Sequence, residues 1–183
     1  MASHTIASGT TVNSSYLNSS NSFTLTNLGV VTAASGYAIS LQGSNDLLLN
    51  QGSITGGSYG DGVALAAGGT VTNQAGALIA SGTGGIALHA QGSATIVNAG
   101  RILGNGRYSF GVSLANGGLV TNQASGSIGG FYGIVASSLP AAVSATIVNY
   151  GSITGSGYWT IKLYAGGWVT NQSGGVIAAT GAN

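Results

Sequence analysis

The side chains able to do acid–base or metal chemistry in this 183-residue chain form a short inventory: Asp46, Asp61, His4, His89, Arg101, Arg107 and Lys162, with no cysteine. Glycoside hydrolysis is the reaction that two carboxylates first suggest, and it needs both to flank one bond. Asp46 and Asp61 each stand among turn-forming residues ("GSNDLL" and "YGDGVA") and are expected to be solvated turn aspartates. His89, in "GIALHA", alternates outward between Leu88 and Ala90 and is expected to be a lone exposed imidazole. His4 lies in a polar leader. No serine sits in anything like a nucleophile elbow. The stretch "GGSYGDGVA" (56–64) has the flavour of a calcium-binding nonapeptide once only, and one carboxylate does not make a hard-cation cage. The two histidines lack zinc spacing, and without cysteine there are no thiolate sites or disulfides. Neither catalysis nor a metal or cofactor is expected.

The elements that hold these groups announce themselves as a repeat. "GTVTNQ" at 69–74 returns as "GLVTNQ" at 118–123 and "GWVTNQ" at 167–172. Aligned on the asparagine that ends each short apolar stretch, the copies fall at Asn27, Asn50, Asn73, Asn98, Asn122, Asn149 and Asn171, at intervals of 22 to 27 residues. A second anchor follows each asparagine ("GSI", "ALI", "GRI", "GVI"), and a third begins with glycine and alternates apolar residues ("GVAL", "GIAL", "GVSL"). Three short period-two segments separated by Gly, Ser and Asn read as three strands per copy. Glycine in every window disfavours helix by roughly 1 kcal/mol per residue relative to alanine. The "VTNQ" copies alternate with "IVN" copies, so the larger unit is a pair of coils.

A single coil cannot bury its apolar side chains, whereas stacked coils form a continuous core of in-register parallel strands. The expected fold is therefore all-β: a parallel β-helix, or β-solenoid, of about seven coils with three short strands each. Alternation turns Val71, Asn73, Ile96, Asn98, Val120 and Asn122 inward. The seven asparagines are then expected to stack as a ladder of amides. Residues 1–23 read as a polar N-terminal segment and candidate assembly arm, and residues 24–183 as one solenoid domain. Within the arm, "GTTVNSS" (9–15) resembles the first-strand motif, although Asn13 lies only 14 residues before Asn27.

Composition limits the partners. A formal net charge of +1 leaves no electrostatic footprint for nucleic acid, and no apolar run approaches the roughly 18 residues of a membrane span. The 44% apolar content argues against disorder, and glycine without a three-residue period excludes collagen. The N-terminal residues carry no basic region and apolar core of a secretory signal.

The stretch "GGTVTNQAGALIASGTGGIALHAQGSATIVNAGRI" (68–102) resembles the repeats of bacterial surface β-solenoids, the autotransporter passengers and filamentous-haemagglutinin-type adhesins. The resemblance runs from about residue 24 to 183. It implies a right-handed parallel β-helix, secretion to the cell surface, and adhesion or matrix building.

What remains for function is surface. The outward positions of the first strand form two columns that include Thr70, Thr95 and Thr146 in one and Thr72, Thr121 and Thr170 in the other, a face suited to ice or to lateral packing. Nine of the 13 aromatic residues lie between Tyr108 and Trp168; Tyr132, Tyr158, Trp159 and Trp168 are the candidate sugar-stacking or interface set. Arg101, Arg107 and Lys162 read as isolated solvated charges. The coil that begins with "GWVTNQ" shows two strands, and a neighbouring copy's N-terminal segment is expected to complete it, giving head-to-tail homopolymers. The expected function is a self-assembling extracellular or cell-surface fibre subunit or adhesin stalk; the competing expectation is a carbohydrate- or ice-binding module.

Overall fold

Repetition of one strand word fixes one sheet, and three words fix three. In the computed structural model, which describes residues 2–19, 21–136 and 143–181, the strands form three parallel sheets of eight, eight and seven strands, wound as a β-solenoid of about seven three-strand turns. No helix occurs among the described residues. The first sheet stacks the opening strand of each coil: Ala2–Ile6, Phe23–Asn27, Leu47–Asn50, Gly69–Asn73, Ala94–Asn98, Gly118–Asn122, Ala145–Asn149 and Gly167–Asn171. We number the coils 1 to 8 in that order.

Period-two alternation decides what each strand buries. In the first sheet Leu25, Leu48, Val71, Ile96, Val120 and Ile147 lie in register and are fully buried. The second sheet contributes Val31, Ile54, Ile79, Ile102, Ile128 and Ile153, and the third Ile39, Val63, Leu88, Val112 and Ile134, again in register and fully buried. Burying one such side chain is worth about 2 kcal/mol, so each added coil strengthens the rod mainly through these three columns.

The 49-residue echo has a local cause in the turns. From the ladder asparagine to the inward residue of the next strand there are four steps in coils 2, 3, 5 and 7 (for example Asn98 to Ile102) and six in coils 4, 6 and 8 (for example Asn122 to Ile128). The register is nevertheless unbroken. The two extra residues are absorbed by turns closed by Ala77 N–H to Gln74 O (3.0 Å), Gly126 N–H to Gln123 O (2.8 Å) and Gly175 N–H to Gln172 O (2.9 Å). The same three coils enter their first strand through a Gly-Gly pair at positive φ, Gly117 and Gly118 for instance (φ 65° and 135°), a conformation only glycine adopts freely. Coils 5 and 7 use Ser-Ala instead.

Residues 2–18 differ from the expectation of an arm. Ala2–Ile6 pairs in parallel with Phe23–Asn27, Thr11–Val12 with Val30 and Val31, and Tyr16–Asn18 with Ile39–Leu41, so these residues form coil 1. The "GTTVNSS" segment supplies the second strand of that coil, and the ladder position opposite Asn27 is held by Ile6, which is buried. The sequence boundary at residue 24 cuts through the Phe23–Asn27 strand.

Candidate functional site

The ladder asparagines project inward beside the core and are fully buried from Asn27 through Asn149. Each Nδ2 donates to the Oδ1 of the next asparagine at 2.8 Å, in an unbroken run from Asn27 to Asn171. Each Nδ2 also reaches a carbonyl that opens or precedes the second strand of the following coil, as in Asn73 to Arg101 O (3.1 Å) and Asn122 to Ser152 O (3.1 Å). At the start of the run the Asn27 Oδ1 accepts from the Gly29 N–H at 3.1 Å. The amides therefore lock the first sheet to the second across every coil boundary from coil 2 to coil 8. Asn171 receives Asn149 and donates only to Gly175 O of its own turn (2.8 Å). The column is polar, with carbonyl oxygens facing coil 1 and amide nitrogens facing coil 8.

The two carboxylates are corrected from solvated turn residues to buried acceptors. Asp46 is 1% exposed. Its Oδ1 accepts from Phe23 N–H and its Oδ2 from Gly43 N–H, both at 2.8 Å, tying coil 2 to the corner before coil 3's first strand. Asp61 is likewise buried and accepts from Ile86 N–H of the next coil at 3.0 Å. Its other oxygen lies 3.1 Å from His89 Nδ1. His89 is thus half-buried and partnered, where the sequence suggested an exposed, lone ring. Aligning the coils could have found this pair, because Asp61 stands two residues before Val63 and His89 one after Leu88, and those strands are neighbours.

A carboxylate holding His Nδ1 is the orienting half of a Ser-His-Asp arrangement. The other half needs a hydroxyl bonded to Nε2. Ser113 is the register neighbour of His89, yet no hydrogen bond joins them. Asp46 and Asp61 occupy different corners of the coil, with both Asp46 oxygens engaged by backbone amides and those of Asp61 by the Ile86 amide and His89. Among the described residues no three His, Cys, Asp or Glu side chains gather as a metal site.

On the outer face of the first sheet the threonines fall into two in-register columns. One reads Thr24, Leu47, Thr70, Thr95, Leu119, Thr146, Trp168 and the other Thr26, Leu49, Thr72, Val97, Thr121, Val148, Thr170. The threonines from Thr70 to Thr146 are half-buried, and leucine, valine and Trp168 interrupt the hydroxyl rows.

The candidate aromatic set divides. Trp168 ends the threonine column of the first sheet, whereas Tyr132, Tyr158 and Trp159 belong to the third-sheet side of coils 6 and 7. There Phe110, Tyr132 and Trp159 stack coil upon coil, with ring centroids 5.0 and 5.5 Å apart. Phe131 meets Tyr132 edge-on at 4.8 Å, and Tyr158 flanks Trp159. Two of the three cations also depart from expectation, whereas Arg101 is exposed as expected. Lys162 Nζ lies 3.4 Å from the centroid of the Trp159 ring and 4.3 Å from that of Tyr164, and the Arg107 guanidinium lies 5.5 Å from the Tyr108 ring. A cleft of about 220 Å³ opens between Phe110, Tyr132, Val135, Trp159, Lys162 and Tyr164. A shallower groove of about 500 Å³ runs over Gly104, Gly129 and Gly130 toward Arg107 and Phe131, where missing side chains leave space on the second sheet.

No family model matches the chain, and no curated protein or solved structure is significantly similar to it. What is established is the architecture: a parallel β-solenoid built from a repeated three-strand coil.

Proposed function

We propose that this protein is a structural, non-catalytic β-solenoid that stacks end to end with copies of itself, as a bacterial extracellular or cell-surface fibre subunit or adhesin stalk. The observation that carries the proposal is the face of coil 8. Its strands Gly167–Asn171 and Val176–Ala179 continue the sheets in register, yet the inward-facing Val169 is 43% exposed, and Asn171 stands exposed with its amide nitrogen turned away from coil 7. An in-register parallel edge with exposed apolar residues is a template for another strand layer. A heterologous contact of this kind propagates rather than closing. The near-zero net charge removes the repulsion that would oppose it.

The complementary layer is coil 1 of the next molecule. In the register of the stack, its His4 would cover Val169 and its Ile6 would cover Asn171, so the amide ladder ends at each junction and resumes at Asn27. The splice suggested by the sequence, in which residues of one chain complete a coil of another, involves residues 182 and 183, which lie outside the described residues. Stacking of coil 1 on the two strands of coil 8 requires no such exchange.

Sedimentation velocity across a concentration series tests the proposal. Wild-type protein should form species that grow with concentration without a limiting size. Val169→Glu, which places a charge on the coil 8 face, should remain monomeric, while Thr72→Glu on the outer face should still polymerise. A wild-type monomer at every concentration, or growth that Val169→Glu leaves intact, would overturn it.

The competing reading, a surface-binding module for ice or glycans, draws its support from the two threonine columns and the aromatic stack. The interruptions at Leu47, Leu119 and Trp168 weigh against a uniform ice-matching lattice. The aromatic stack is a different matter.

A further inference from the structure

The position occupied by Lys162 holds no other lysine or arginine: its register column on the third sheet reads Leu17, Ser40, Ala64, His89, Ser113, Val135, Lys162. The single lysine of the chain therefore appears where the aromatic column Phe110–Tyr132–Trp159 is also found. Its ammonium is held by the Trp159 and Tyr164 rings, and no carboxylate or other hydrogen-bond acceptor pairs with it among the described residues. Both carboxylates of the chain are already engaged, Asp46 by two backbone amides and Asp61 by Ile86 and His89.

We propose that the cleft between Phe110, Tyr132, Val135, Trp159, Lys162 and Tyr164 binds one acidic pyranose residue of a glycan, its ring packed on the aromatic walls and its carboxylate paired with Lys162. Three features select this chemistry. The parts of the aromatic walls that the stack leaves uncovered, with Val135, offer an apolar surface to the C–H face of a sugar. The partly desolvated ammonium favours a ligand with one negative charge, and the phenols of Tyr132 and Tyr164 bring hydrogen-bonding groups to its rim. The volume, about 220 Å³, falls below the roughly 300 Å³ where sites for drug-sized ligands begin and suits a single ring. Stacking platforms with basic charge also bind single-stranded nucleic acid, but those sites track a backbone with many cations, and this cleft holds one. The site lies on the outer face of the third sheet, so it is open in the monomer and its existence does not depend on polymerisation.

Tryptophan emission reads the site directly. In a Trp168→Phe background, which leaves Trp159 as the one tryptophan, the protein would be titrated with an oligosaccharide of glucuronic acid and with the neutral glucose oligosaccharide of the same linkage. Saturable change is expected with the acidic sugar, at least tenfold tighter than with the neutral one and weakening as salt rises. Lys162→Met and Lys162→Gln should each remove that preference and lower acidic-sugar affinity at least tenfold with the thermal midpoint unchanged, which separates lost binding from lost folding. Tyr132→Ala should weaken both sugars. Absence of saturable binding at millimolar sugar, equal affinity for the neutral sugar, indifference to both Lys162 variants, or benzoate binding as tightly as the uronic acid would each overturn the assignment.

Discussion

A buried primary amide is tolerated only if both of its ends are used, and the ladder uses them repeatedly. Asn98 takes Asn73 on its oxygen and gives its Nδ2 to Asn122, Gly100 O and Ser127 O. Asn98→Ala would leave the buried Asn122 oxygen without its donor and take the acceptor of the Asn73 amide, at a cost of roughly 3 kcal/mol. Asn171→Ala removes a solvated end member and should cost less than about 1 kcal/mol. Urea denaturation of the two variants measures the difference, and equal costs would mean that the ladder contributes nothing beyond a turn preference. Asp46→Ala should be as damaging as Asn98→Ala, at about 2–4 kcal/mol, because it strands the buried amides of Phe23 and Gly43; a loss below about 1 kcal/mol would return Asp46 to the status of a solvated turn residue. At this scale the sequence was readable where one residue type recurs at one position, as with the asparagines, and misleading where a residue acts once. Asp46, Asp61, His89 and Lys162 each have a single role in a single coil, so no repetition marks it. Lys162 finds Trp159 through the bend that precedes its strand, which periodicity does not encode.

At the scale of strands and turns, alternation is sufficient to place all three sheets, because a one-residue slip would turn every Ile, Leu and Val of a coil outward. The exception is coil 1. Its first strand carries Ile6 where the others carry asparagine, and its second strand has only two residues, so the word that identifies the repeat is missing while the backbone pairing persists. Alternation of coil type is carried by the turns, and it gives a test. Gly118→Ala would combine φ 135° with a Cβ driven into the Ala94 carbonyl oxygen of the neighbouring coil, and should destabilise by about 3 kcal/mol or more. Gly76→Ala, at φ 82° with open space around the new methyl, should cost only the left-handed backbone penalty of about 1–2 kcal/mol. Thermal melts that rank the two variants the other way would contradict the role assigned to the Gly-Gly entry.

The described residues form a short rod whose long side carries the aromatic cleft and whose outermost layers are coils 1 and 8. Its charges are few and sum to +1, so neither long-range steering nor self-repulsion governs how two rods meet; contact between the coil 8 and coil 1 faces does. Eight rungs in the first sheet, spaced about 4.8 Å apart, give a subunit rise of about 38 Å along the axis. Electron microscopy of the purified protein over a concentration series is the most direct measurement of end-to-end stacking. Unbranched filaments with an axial repeat near 38 Å are expected, lengthening with concentration and absent for Val169→Glu. Discrete rods of subunit length at every concentration would contradict the stacked-subunit function.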